Sequence, residues 1–272
     1  MSLKKGSHSR SRDKQEAREQ ITEELSPEDF YENPDPIKTA LKLNEFKWTD
    51  KQKEFFKIAL NQNTRIMFVD GPAGSSKTLL SVYCGLQLMN MKACSDIMYL
   101  RSAVESSDSK LGYLPGSAEE KLKYFNMPFI DKLDELLKTT RPEKLIEQKR
   151  VGMFPVNFAR GMNWTNKVII LDEAQNCTEK EIITILTRMG KGSRCFVLAD
   201  PMQTDLHNNK IGAFEKLNKI FSDDDSYYMG IRTFEFTEED IMRSMLTKFL
   251  IKKLKEEKEK KINEDIRRWG SE

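Results

Sequence analysis

Long apolar runs are missing from this chain of 272 residues. None approaches the roughly 20 consecutive apolar residues that a helix needs to cross a bilayer, so no membrane anchor is expected. Histidine and cysteine are scarce, at 2 and 4 residues. Cys84, Cys94, Cys177 and Cys195 form no C-x-x-C pair, which leaves neither a zinc site nor a disulfide framework supported. Reduced, mostly buried thiols are expected instead. Charge of one sign is not in excess, since the net charge is only +2; a generic polyanion binder is excluded and any basic groove must be local. The start of the chain lacks the apolar stretch of a secretory signal. The expected compartment is therefore the cytoplasm.

What is present is charge, at 32% of residues, concentrated toward both ends, and a modest apolar content of 38%. Residues 1–36 read as a charged, flexible N-terminal extension, closed by Asn33-Pro34-Asp35-Pro36. Five largely apolar runs read as strands: Arg65–Asp70, Asp96–Leu100, Lys167–Asp172, Arg194–Asp200 and Ile231–Phe236. Near-continuous apolar character suits strands covered on both faces. Helical patterns separate most of them, at Lys77–Met91, Thr178–Met189 and Ala213–Ile220. Thr178 with Glu181 gives a capping box, and Thr49 is a good N-cap for a helix preceding the first strand. The expected fold is α/β, with a mostly parallel central sheet flanked by helices. One domain over 37–250 is expected, with 111–161 as a helical and loop insertion on it and 251–272 as a charged C-terminal helix. Within the insertion, a helix from Ser117 to Leu137 is expected to break near Pro128.

Ligands of such a sheet gather beyond the carboxyl ends of its strands. Gly71-Pro72-Ala73-Gly74-Ser75-Ser76-Lys77-Thr78 stands at one such end. It follows the phosphate-loop pattern G-x-x-x-x-G-K-[ST], with Ser76 where the second glycine belongs. Backbone N–H groups ahead of a helix make a cradle for phosphates. Lys77 would reach the β- and γ-phosphates, and the Thr78 hydroxyl would hold Mg²⁺. A second apolar run ends in Asp172-Glu173. Asp172 suits the metal, and Glu173 suits the orientation of an attacking water. The plainer alternative, two acidic residues capping a turn, loses force beside a phosphate loop.

Further candidates are individually weaker. Gln203, after Asp200-Pro201-Met202, has the position of a γ-phosphate sensor, or else belongs to an ordinary turn. Gln52 is a candidate reader of the adenine edge, or a plain helix residue. Arg243 is an arginine finger, in cis or from a neighbouring subunit, or a surface arginine. Arg101, Lys110, Arg160 and Lys191 are scattered basic residues for which solvated charge is the simpler reading. Trp164 suits core packing better than base stacking.

Taken together these residues resemble the PhoH family of ATPases, in the short form found in bacterial viruses. Four stretches carry the resemblance: Gly71–Thr78, Leu111-Gly112-Tyr113-Leu114-Pro115-Gly116, Val168–Asn176, and Leu186–Gly190 with Gly192-Ser193. Asp200, Gln203, Asp205, Leu206, Phe236, Asp240, Arg243 and the pair Arg160-Gly161 continue it. The resemblance implies a RecA-like core similar to the first motor domain of superfamily 1 helicases. It implies Mg²⁺-dependent ATP hydrolysis, a link to RNA or other single-stranded nucleic acid, and assembly into a homo-oligomeric ring such as a hexamer. Arg101 and Arg160 then become candidate nucleic-acid or subunit contacts. Two alternatives stand beside it: a slowly hydrolysing, nucleotide-gated binding protein, motivated by Ser76, and a P-loop kinase.

Overall fold

The computed structural model describes residues 26–30, 32–102, 118–159, 163–200 and 213–242, with short pieces between 246 and 257. Six strands form one sheet: β1 (Ile66–Asp70), β2 (Asp96–Arg101), β3 (Val151–Pro155), β4 (Lys167–Asp172), β5 (Arg194–Ala199) and β6 (Ile231–Glu235). Their order is β3-β2-β4-β5-β1-β6, and every pairing is parallel. The helices are α1 (Asp50–Ala59), α2 (Lys77–Asn90), α3 (Ala118–Leu136), α4 (Pro142–Glu147), α5 (Glu179–Leu186), α6 (Ala213–Ile220) and α7 (Asp224–Tyr228). This is the α/β arrangement expected, a parallel sheet flanked by helices, and the strand carrying the phosphate loop and the strand carrying the acidic pair are separated by one strand, β5.

Side chains alternate across the sheet as period-2 geometry requires. Met67, Val69, Ile97, Tyr99, Val168, Ile170, Phe196 and Leu198 face one core, covered by α1 to α4. Phe68, Met98, Leu100, Ile169, Leu171, Cys195 and Val197 face the other, covered chiefly by α5 and α6. Each such buried side chain contributes about 1.5–3 kcal/mol of transfer free energy, so both faces are strongly specified. All four cysteines are free and buried. Trp164 is fully buried in the second core.

Local signals set the element ends. Thr49 and Thr178 close complete capping boxes at α1 and α5, with Gln52 and Glu181 as the reciprocal partners. Three expectations are corrected. Within 1–36, expected to be a charged, flexible extension, Pro27–Phe30 form a 3-10 helix, and Phe30 is buried in the second core edge-on against Phe154, because its ring finds apolar cover there. The stretch 111–161 contains a sixth strand, β3, paired with β2; its Val-Gly-Met-Phe-Pro sequence ends in proline and has neither alternation nor length to announce a strand. Helix α3 also runs through Pro128 without a break. Its second half is held against the core by Phe129, Ile130, Leu133 and Leu136, and this burial outweighs the hydrogen bond that proline forfeits. The Leu111–Gly116 motif and the charged stretches 1–25 and 258–272 lie outside the described residues.

Candidate nucleotide site

The carboxyl ends of β1, β4, β5 and β2 converge on one place because the strands are neighbours and parallel. β1 ends at Asp70 and turns through Gly71 into α2. Gly71 has φ +156°, and a Cβ there would lie 2.7 Å from Phe236 Cβ, so only glycine fits. Ser76, the N-cap of α2, adopts the left-handed conformation at φ +66°. The glycine of the usual pattern has its physical reason here: a left-handed L-residue is strained. Ser75 is buried and donates its hydroxyl to the Pro72 carbonyl at 2.8 Å. Lys77 Nζ donates to the carbonyls of Gly71 at 2.6 Å and Pro72 at 3.0 Å. Its ammonium thus folds over the loop in which a phosphate would sit. Burial pulls the Lys77 pKa down, opposed by Asp200, Asp172, Glu173 and Asp70.

At the end of β4, Asp172 is buried and its carboxylate is fully engaged. Oδ2 accepts from Thr78 Oγ1 at 3.0 Å and from Tyr99 OH at 2.8 Å; Oδ1 accepts from the Glu173 backbone N–H at 3.0 Å. The Thr78–Asp172 separation fits a magnesium site, since adjacent ligands of an octahedral Mg²⁺ at 2.0–2.1 Å lie about 3 Å apart. Glu173 is itself left-handed, at φ +55°, a strained backbone of the kind that clusters at functional sites. Its Oε2 accepts from Gln175 Nε2 at 2.5 Å, and its Oε1 faces the Arg101 guanidinium at 3.8 Å. Burial, then the Asp172 charge, raises the Glu173 pKa; Gln175, Arg101 and Lys77 oppose them.

The structure therefore brings together the loop Gly71–Thr78, Asp172, Glu173 and Arg101. Arg101 stands against the acidic pair. Gln52 sits at the third position of α1, where its Oε1 accepts the Thr49 N–H at 3.0 Å; the structure gives it a capping role. Arg160, Gln203 and Arg243 lie outside the described residues, although Met242, next to Arg243 in sequence, donates its N–H to the Gly74 carbonyl at 3.0 Å.

Three residues escaped the sequence reading. Gln175 is buried and bridges Glu173 to the Asp200 N–H, which it accepts at 3.0 Å; the bridge joins the acidic pair to the end of β5. Tyr99 passed for core, although a buried hydroxyl in an apolar strand calls for a partner. Asp70, the last residue of β1, has its pKa pushed up to about 6 by burial and by Glu235 on the neighbouring strand.

Comparison with known proteins shows the family. The family described as PhoH-like protein matches residues 47–255. A PhoH-like protein of Synechocystis sp. is 31% identical over 203 residues, 75% of this chain and 60% of that protein. One from Bacillus subtilis is 30% identical over 200 residues, 74% of this chain and 60% of its own length. The chain thus spans 60% of these relatives. Protein PhoH2 of Bacillus subtilis is 34% identical over 160 residues, 57% of this chain and 36% of that protein. Among solved structures, the Pif1 helicase from Candida albicans matches at 15% identity and a TM-score of 0.36, over 71% of this chain and 40% of that one; a likeness that slight carries no weight.

Proposed function

The chain belongs to the PhoH-like protein family, and from that premise we propose that it binds ATP with Mg²⁺ at the Gly71–Thr78 loop, hydrolyses it, and couples turnover to RNA or another single-stranded nucleic acid. The observation that carries the reading is the meeting of Thr78 and Asp172, 3.0 Å apart, between Lys77 and Glu173. The loop N–H groups and the start of α2 cradle the phosphates. Lys77 leaves the Gly71 and Pro72 carbonyls for the phosphate oxygens. Thr78 and Asp172 would hold Mg²⁺, which would supply positive charge against the transferred phosphoryl group. Glu173 orients the attacking water and takes its proton; its raised pKa moves the acidic limb of the rate profile upward. Gln203 senses the γ-phosphate, Gln52, whose Oε1 caps α1, reads the adenine with its amide Nε2, and Arg243 acts as a finger within the subunit or across a ring. Arg101 and Arg160 serve nucleic-acid or subunit contact.

Two observations favour a second reading, the slowly hydrolysing nucleotide-gated binder. Ser76 strains the loop, and both oxygens of Glu173 are engaged. No feature among the described residues supports a P-loop kinase. Steady-state phosphate release from MgATP separates the readings. Glu173→Gln is expected to lower turnover by about 10²–10⁴-fold, the usual contribution of a general base, while ATP binding persists. Fast turnover that depends on Glu173 excludes the switch. Turnover indifferent to RNA and DNA at low salt removes the nucleic-acid coupling, because phosphate contacts are strongest there.

A further inference from the structure

Between Asp96 and Arg101, β2 carries Ile97, Met98, Tyr99 and Leu100, and only Tyr99 among these four has a polar side-chain atom. The residue is 1% exposed. Period-2 geometry and register explain where its hydroxyl goes. Tyr99 pairs with Ile170, and Asp172 lies two residues further along β4 on the same face of the sheet. The phenol donates to Asp172 Oδ2 at 2.8 Å, the same oxygen that accepts from Thr78. With the Glu173 N–H on Oδ1, three donors, from α2, β2 and the residue just past β4, fix the carboxylate against rotation.

The ring is held as firmly as the hydroxyl. Tyr99 stacks on Phe129 of α3, with centroids 4.3 Å apart and planes 20° apart. Phe129 is fully buried among Ile130, Leu133 and Leu136 of the same helix. A displacement of α3 against the sheet would therefore be carried through two packed rings to a carboxylate at the nucleotide site.

We propose that Tyr99 is a positioning residue for the magnesium ion: it orients Asp172 for the cation, and α3 supports that orientation through Phe129. The proposal rests on the MgATP reading above. Its physical basis is that groups hydrogen-bonded to a ligating carboxylate set its orientation and its affinity for metal.

The test is binding rather than turnover. A fluorescent ATP analogue is titrated into the full chain in EDTA, and Mg²⁺ is then titrated into the nucleotide complex. Tyr99→Phe keeps the ring and its stacking and removes one hydroxyl. It is expected to weaken the apparent Mg²⁺ affinity about 10-fold, the lower end for loss of such a partner, with nucleotide affinity in EDTA unchanged. Phe129→Leu keeps the hydroxyl and loosens its support, and roughly 3-fold is expected, a coupling at the low end of those carried through packing. Circular dichroism verifies that each variant is folded, and a misfolded variant leaves the decision to the other. Unchanged or tighter Mg²⁺ binding overturns the proposal. So does an equal loss with and without Mg²⁺, which marks a merely structural hydroxyl. Failure of the unsubstituted chain to bind the analogue under either condition would instead sink the MgATP reading.

Discussion

Strands β2 and β4 meet as charge pairs at both of their ends, and the two ends differ in kind. At the start, Asp96 faces Lys167; at the finish, Arg101 faces Asp172, with Glu173 beside it. The first pair is sealed: Lys167 Nζ is 2.8 Å from Asp96 Oδ2, with side chains 1% and 0% exposed. The second is open, Arg101 lying 3.8 Å from Glu173 with side chains 29% and 34% exposed. The sealed anion is matched by the sealed Lys167 and, further off, by Arg150. At the open end the carboxylates of Asp70, Asp172, Glu173, Asp200 and Glu235 gather around strand ends, with Lys77 and Arg101 among the cations that face them. A balanced buried pair holds the fold in register. An excess of carboxylate at strand ends is a cost to the fold, and it is relieved by a cation or by binding.

The comparison is sharpened most by removing one cation from each end. Lys167→Met takes from buried Asp96 its ion-pair partner and leaves it the Ser95 hydroxyl and the more distant Arg150, and about 3 kcal/mol of stability should be lost. Arg101→Met should cost no more than about 1 kcal/mol, as for exposed pairs. Denaturant unfolding measures both, and equal losses would break the distinction. Burial outweighs Lys167 in setting the Asp96 pKa, which is raised. Replacing both partners, Asp96→Leu with Lys167→Met, should accordingly recover most of the loss.

A smaller effect concerns pH at the open end. Asp70 titrates near 6 in the folded chain, against an ordinary value of 3.8. The folded state then binds this proton more tightly than the unfolded one. Stability from this group is full below about pH 4, is lost as pH rises through about 6, and stays lost above that. Asp70→Asn, which keeps a neutral acceptor for the Gly71 N–H, should raise the melting temperature at pH 7.5 and leave it unchanged at pH 4. A gain at both pH values would mean that charge is not the cause.

The smallest effect is expected in the phosphate loop. Ser76→Gly removes left-handed strain of about 1 kcal/mol, partly offset by the greater freedom of glycine in the unfolded chain. Nucleotide affinity should rise a few-fold, since the loop no longer resists the cradle conformation. Unchanged affinity would show that the loop reshapes on binding and that the strain at Ser76 is not held in the complex.

Much of the fold was legible in the sequence because parallel strands buried on both faces must be apolar throughout. The runs ending at Asp70, Asp172 and Asp200 therefore announced themselves, and so did the N-cap at Thr49 and the capping box at Thr178, which act within four residues; that Gln52 completes a second box at Thr49 did not. β3 did not, since an edge strand of five residues that ends in proline has no periodicity to show. In the site, Gly71–Thr78 and the Asp172-Glu173 pair were legible as spacing. Gln175 lay inside a recognised motif with no role attached, and Tyr99 was hidden among apolar neighbours.

Local chemistry belongs to the sequence: a loop that bares its N–H groups, a lysine and threonine opening a helix, two carboxylates closing a strand. Each depends on residues adjacent along the chain, so order alone specifies it. Distance between strands belongs to the fold. Only the order β2-β4-β5-β1 sets Thr78 against Asp172, hangs Tyr99 on that carboxylate, ties Gln175 to the end of β5 and turns Arg101 toward Glu173. These contacts join positions far apart in the chain, and the packing of two buried sheet faces decides which of them meet.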